Sequence, residues 1–132
     1  MNENLNISRI EDWLYQQLKG KVSANVFPGT FPSTLEEGWK DMVVIDVASV
    51  RDMSECGRNF GEAAVNVFLY VKPNSAGRKN VKRFNEMENA FAEFIQSTSN
   101  GDYFAIEVYS DADYDKTIDY HFKVISISVI IK

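Results

Sequence analysis

Val81-Lys-Arg-Phe-Asn-Glu-Met-Glu-Asn-Ala-Phe-Ala-Glu-Phe-Ile-Gln-Ser97 divides the chain into two β-rich halves. Phe84, Met87, Phe91, Phe94 and Ile95 return at intervals of three and four, and Lys82, Glu86, Asn89 and Glu93 occupy the opposite side. That periodicity predicts an amphipathic helix with one face on a core. Lys82 and Glu86 stand at i, i+4, a pair expected to add about 0.2–0.5 kcal/mol.

Both flanks alternate with period two. Upstream, Glu62 to Lys72 places Val65, Val67, Leu69 and Val71 on one side and Asn66, Phe68, Tyr70 and Lys72 on the other. Before it, Met42 to Val50 is rich in β-branched residues, and Arg51 to Gly61 is a polar connection. Downstream, Asp102 to Ser110 reads as a strand, Asp111 to Lys116 as a polar turn and Thr117 to Ile131 as a long final strand. That last run changes phase: Ile118, Tyr120, Phe122 and Val124 share one side, then Ile125, Ile127, Val129 and Ile131 the other. A bulge or two-sided burial is required, and a bend or bulge near Val124 is expected. An Asn100-Gly101 turn closes the central helix.

The N-terminal part opens with a helix. Ser8-Arg9-Ile10-Glu11 matches a capping box, Ile10, Trp13, Leu14 and Leu18 follow at helical spacing, and Gly20 is suited to a left-handed end. Residues 1–7 are expected to fray. Val26-Phe27 suits a short strand broken by Pro28-Gly29 and Phe31-Pro32, and Thr34 to Glu37 suits a single helical turn. A connection carrying Phe27, Phe31, Leu35 and Trp39 must fold over the core or meet a partner. The element order is helix, three strands, helix, two strands. Short connections make this one α+β domain over residues 1–132, with a mostly antiparallel sheet of four to five strands backed by two helices.

Composition bounds the function. The 132 residues are 45% hydrophobic and 25% charged, which excludes a disordered chain, collagen and a coiled coil. Cys56 is the only cysteine, so an internal disulfide is impossible. No apolar run reaches the length of a membrane span, and the acid-containing first twenty residues lack a signal peptide's apolar region. Asp111-Ala-Asp113-Tyr-Asp115 imitates the opening of a calcium loop. Lys116 and Phe122 occupy the places of its glycine and closing glutamate, so a solvated acidic turn is expected. His121, the single histidine, lacks the partners of a triad or zinc site, and acids offset the bases near Cys56. No metal, cofactor or catalytic residue is expected, and the chain is read as a non-enzyme.

Charge is distributed unevenly. Lys72 to Arg83 holds Lys72, Arg78, Lys79, Lys82 and Arg83 with no acid, a net of +5. Residues 101–119 hold six acids against Lys116, a net of −5. Unlike patches on one molecule permit head-to-tail contact, and such contacts form a ring if the rotation closes. Arg78, Lys79, Lys82, Arg83, Asp111, Asp113 and Asp115 are therefore the expected interface residues. The alternative is an anion- or nucleic-acid-binding module using Arg78, Lys79, Lys82 and Arg83, with Phe84 and Tyr70 as the neighbouring rings, although Phe84 is better read as core. The overall charge of −5 argues against nucleic acid.

The order of elements resembles phage tail-completion and tail-terminator proteins, also called minor tail or neck proteins. The resemblance runs over residues 8–131. It takes in the first helix, the extended Asn25-Val-Phe-Pro-Gly-Thr-Phe-Pro32 and the strand Met42-Val-Val-Ile-Asp-Val47. The glycine-flanked Gly61-Glu-Ala-Ala-Val-Asn-Val-Phe-Leu-Tyr-Val-Lys72, the helix Val81 to Ser97 and the two closing strands complete it. It implies a ring-forming structural protein, commonly a hexamer, that caps a tail tube and meets neck or tube proteins. It also implies a place in the virion or the cytoplasm of a bacterial host, with the gene carried by a phage or a prophage, and it implies no catalytic residues.

Overall fold

A computed structural model describes residues 5–53, 60–98 and 101–132. Cys56, the first four residues and Asn100 lie outside the described residues. The elements follow as α1 (Ile7–Leu18), β1 (Val26–Pro28), β2 (Asp41–Asp52), β3 (Gly61–Val71), α2 (Val81–Ser97), β4 (Tyr103–Asp115) and β5 (Tyr120–Ile131). The fold is α+β, in the order read from the sequence. The strands form one sheet in the order β1-β2-β3-β5-β4, with β1 parallel to β2 and every other pair antiparallel. The two hairpins on either side of α2 join through β3 and β5.

α2 has the bounds its periodicity predicts. Asn80 caps it by accepting from the Arg83 amide at 3.2 Å, and Phe84, Met87, Phe91 and Phe94 are buried. α1 buries Ile10, Leu14 and Leu18, and Trp13 packs its ring 4.7 Å from Tyr103 and 5.5 Å from Phe94. Both helices cover one face of the sheet, formed by Val43, Ile45, Val65, Val67, Leu69, Ile125, Ile127, Val129 and Ile131. Each such apolar side chain contributes about 1.5–3 kcal/mol when fully buried.

The start of α1 differs from expectation. Asn6, not Ser8, is the cap: its side-chain oxygen accepts from the Ser8 amide at 2.8 Å and the Arg9 amide at 3.4 Å. Residues 5–7 have places in the fold: Asn6 caps α1, Ile7 begins it, and Leu5 packs on the core against Gly61, where a Cβ would collide with it. Gly20 takes φ +81° and closes the turn beyond the helix, as its position suggested. Glu86 pairs with Arg83 at 3.1 Å instead of Lys82.

The other face of the sheet carries a second cluster at one end. Met42, Val44, Tyr70 and Tyr120 are buried there, with Phe27, Leu35, Phe68, Ile118 and Phe122 packed around them. The apolar connection between β1 and β2 lies over this cluster. Phe27 sits 5.2 Å from Trp39, and the Phe31 ring meets Tyr70 edge-on at 5.6 Å. Thr34 to Glu37 forms no helical turn; the Trp39 amide closes a turn on the Glu36 carbonyl at 3.1 Å.

This cluster explains the phase change in the last strand. β3 and β5 pair without a register shift from Gly61–Ile131 to Val71–His121, so β5 has no bulge near Val124. It is buried on both faces instead: Ile125 to Ile131 faces the helices and Tyr120 and Phe122 face the second cluster. The register breaks fall elsewhere, at Ala48 in β2 and Val108 in β4. Asp111 to Lys116 is not a turn either. β4 continues to Asp115, paired opposite Tyr120, and the turn is Lys116 to Asp119, with Asp119 at φ +56°.

Candidate interaction surface

The basic segment leaves β3, turns tightly and enters α2. The Asn74 side chain accepts from the amides of Ala76 (3.0 Å) and Arg78 (3.1 Å), and Gly77 takes φ +76° to close the turn. Arg78, Lys79 and Lys82 are exposed. The Lys79 ammonium lies 5.2 Å from the Phe84 ring centre, and Lys72 donates to the Glu37 carbonyl at 3.1 Å.

Arg83 is committed to the fold. Its Nε donates to Asp41 at 2.8 Å, one terminal nitrogen to Glu86 at 3.1 Å and the other to the Val22 carbonyl at 3.0 Å. Asp41 also accepts the Ser23 hydroxyl at 2.5 Å. The hydrogen bond to Asp41 holds the guanidinium pKa above its ordinary value. Arg83 thus ties α2 to the start of β2 and to the chain after α1. Of the four predicted basic interface residues, Arg78, Lys79 and Lys82 remain available to a partner. Lys40 is also exposed, beside a cleft that it lines with Asp41, Asn80, Lys82, Arg83 and Glu86. The rings considered for stacking are interior: Phe84 is 4% exposed and Tyr70 9%.

Asp111, Asp113 and Asp115 lie on β4, the edge strand. They stand directly opposite Val124, Phe122 and Tyr120, so all three are on the face without helices. Asp111 and Asp113 accept from the amides of Ala112 and Tyr114, each at 2.8 Å, and Asp115 takes the Thr117 amide at 3.0 Å. The carboxylates form a row along the strand. Among the described residues, no group of three or more His, Cys, Asp and Glu is placed to hold a metal ion. Asp119 accepts the Tyr114 hydroxyl at 2.5 Å, which raises that phenol's pKa. His121 packs its ring 4.7 Å from Tyr114, an ordinary strand contact.

Exposed apolar side chains gather at the same two places. Four of the seven large hydrophobic residues exposed among those described lie on β4: Ile106, Val108, Tyr109 and Tyr114. A fifth, Val81 in the first turn of α2, stands between Lys79 and Lys82. The sequence reading found the charges and missed these residues, because an apolar residue inside a strand or helix carries no mark of which side it faces.

The path of α2 separates the two patches. Its start is bound to β2 through Arg83–Asp41, its middle to β5 through Glu88–Lys123 at 2.6 Å, and the residue after its end to β4, where Thr98 accepts the Ala105 amide at 2.9 Å. The helix therefore crosses the sheet diagonally. Arg83 sets the start of α2, and with it the exposed Lys82, on the helix side of β2, while Lys72 at the other end of the basic segment lies 5.8 Å from the Tyr120 ring centre; the acidic strip is on the helix-free face of β4. Three strand spacings, about 14 Å in all, lie between those strands. Among the described residues no helix is long and apolar enough to cross a membrane. No protein-family model matches the chain, and the search of curated proteins gives no match.

Proposed function

We propose that the chain is a structural subunit that assembles head-to-tail with copies of itself, forming a ring of the kind phage tail-completion and terminator proteins build at a tail tube or neck. The observation that carries this reading is the separate placement of two oppositely charged, partly apolar patches, one at the start of α2 and one on the helix-free face of the edge strand β4. A two-fold contact uses the same surface on both partners. The acidic strip lies on the helix-free face of β4 and the start of α2 on the other face of the sheet, so their complementarity favours a heterologous contact. An open assembly keeps one free patch of each sign, at its two ends, until the ring closes. A hexamer, a tube or neck partner, and a place in the virion or the bacterial cytoplasm belong to the same proposal. The reading gives the chain no catalytic step.

Sedimentation velocity over a protein concentration series tests it. The expected result is a mass rising above the 15.0 kDa monomer at low salt and falling back at high salt, since exposed charge pairs are screened. Negative-stain images should then contain closed rings of one diameter. A chain that stays monomeric at high concentration and low salt overturns the proposal.

A further inference from the structure

We propose that the seat for the neighbouring copy is the helix-free face of β4 around its bulge, and that the neighbour fills it with the first turn of α2 and the loop before it. This rests on the self-assembly reading and assigns its contact.

The bulge builds the seat. Ile106 stands opposite Ser128 on the helix-free face, while Glu107, opposite Ile127, is on the helix face. Strict alternation would send Val108 to the helix-free face and Tyr109 back toward the helices. The extra residue at Val108 reverses this and places Tyr109 opposite Ser126, on the same face as Ile106. Asp111 and Asp113 follow in the same phase. One continuous strip results, apolar at Ile106 (43% exposed) and Tyr109 (57%) and acidic beyond.

An occupant must cover apolar surface and neutralise carboxylates together. A second β4 does not fit, because pairing the two edges over their acidic halves would bring the Asp111, Asp113 and Asp115 row of one copy beside that of the other. The Ala112 and Tyr114 amides are also already bonded to carboxylates. The basic patch of another copy fits both requirements. Val81, 56% exposed, supplies an apolar centre, and the exposed Arg78, Lys79 and Lys82 flank it along the chain. Single exposed ion pairs contribute little affinity, so Val81 and Tyr109 supply the burial while the charges set direction and encounter rate.

The test pairs two charge reversals, Asp111→Lys/Asp113→Lys and Lys79→Glu/Lys82→Glu, in the full chain by sedimentation. Each alone is expected to weaken assembly about tenfold or more, and an equimolar mixture to restore it, because each variant then meets its complement. Asp111→Asn/Asp113→Asn keeps acceptors for the two amides and removes only charge; it must weaken assembly in the same direction, whether or not the lysine variant folds. Reversed variants that assemble like the parent, or a mixture no better than its components, overturn this contact and leave self-assembly standing. A monomeric parent chain overturns both.

Discussion

Arg83 shows how one side chain can belong to a charge run by sequence and to the core scaffold by position. Its planar guanidinium reaches a carboxylate on β2, a carboxylate on its own helix and a carbonyl after α1 at once. Lysine, with a point charge, cannot span those three acceptors. Arg83→Met should therefore lower the unfolding free energy by about 2 kcal/mol, the scale of a hydrogen bond to a charged group, and Arg83→Lys should recover only part of it. Urea denaturation measures both. Lys82→Met, next to it but exposed, is the control and should change stability little. Equal effects at the two positions would show that Arg83 does not hold α2 to β2.

At the scale of elements, β4 is the part that interprets the molecule. It is a long edge strand, and an unguarded edge invites pairing with other chains. Asp111 and Asp113 answer this by binding the amides of the residues that follow them. Asp111→Ala/Asp113→Ala should release those amides and give time-dependent aggregation on warming, measured by light scattering. The asparagine pair, which retains the acceptors, should stay clear. Aggregation of both pairs alike would trace the effect to lost charge rather than to the edge.

β4 also marks what the sequence could and could not tell. Where one face is apolar, as in α2 and β3, periodicity located the elements. Asp111 to Asp115 read as a turn because aspartate disfavours strands. It is a strand because Tyr120, Phe122 and Val124 on β5 hold it there, and that pairing is tertiary. The phase change in β5 was visible, but choosing between a bulge and two-sided burial required knowing that the β1–β2 connection lies over the second face. The charges of the candidate surface were legible. Their separation was not, since it depends on strand order, and Arg83's engagement with Asp41 spans 42 positions.

Across the whole molecule, the second cluster binds the apolar connection to the sheet and gives stability an alkaline limit. Burial raises the phenol pKa values of Tyr70 and Tyr120 above the ordinary 10.0, with Asp115 adding to the first and Asp41 to the second. The folded state thus favours neutral phenols, while the unfolded chain starts to lose their protons near pH 10. This contribution is fully present below that pH and is lost as the pH rises through the folded-state values. Melting temperatures taken from about pH 9 to 12 should fall steadily. Tyr70→Phe/Tyr120→Phe should flatten the slope, from a lower starting point because the Tyr120 hydroxyl no longer donates to the Trp39 carbonyl. An unchanged slope would place the alkaline sensitivity elsewhere.

The ladder between β3 and β5 has a kinetic consequence. It unites the hairpins through residues fifty positions apart at Val71–His121 and seventy at Gly61–Ile131. Closing so large a loop costs chain entropy before any contact forms, whereas each hairpin can close locally. The seam between the two halves is therefore expected to be the slow step in reaching the native state, and until it closes each half leaves a strand side open to a stranger.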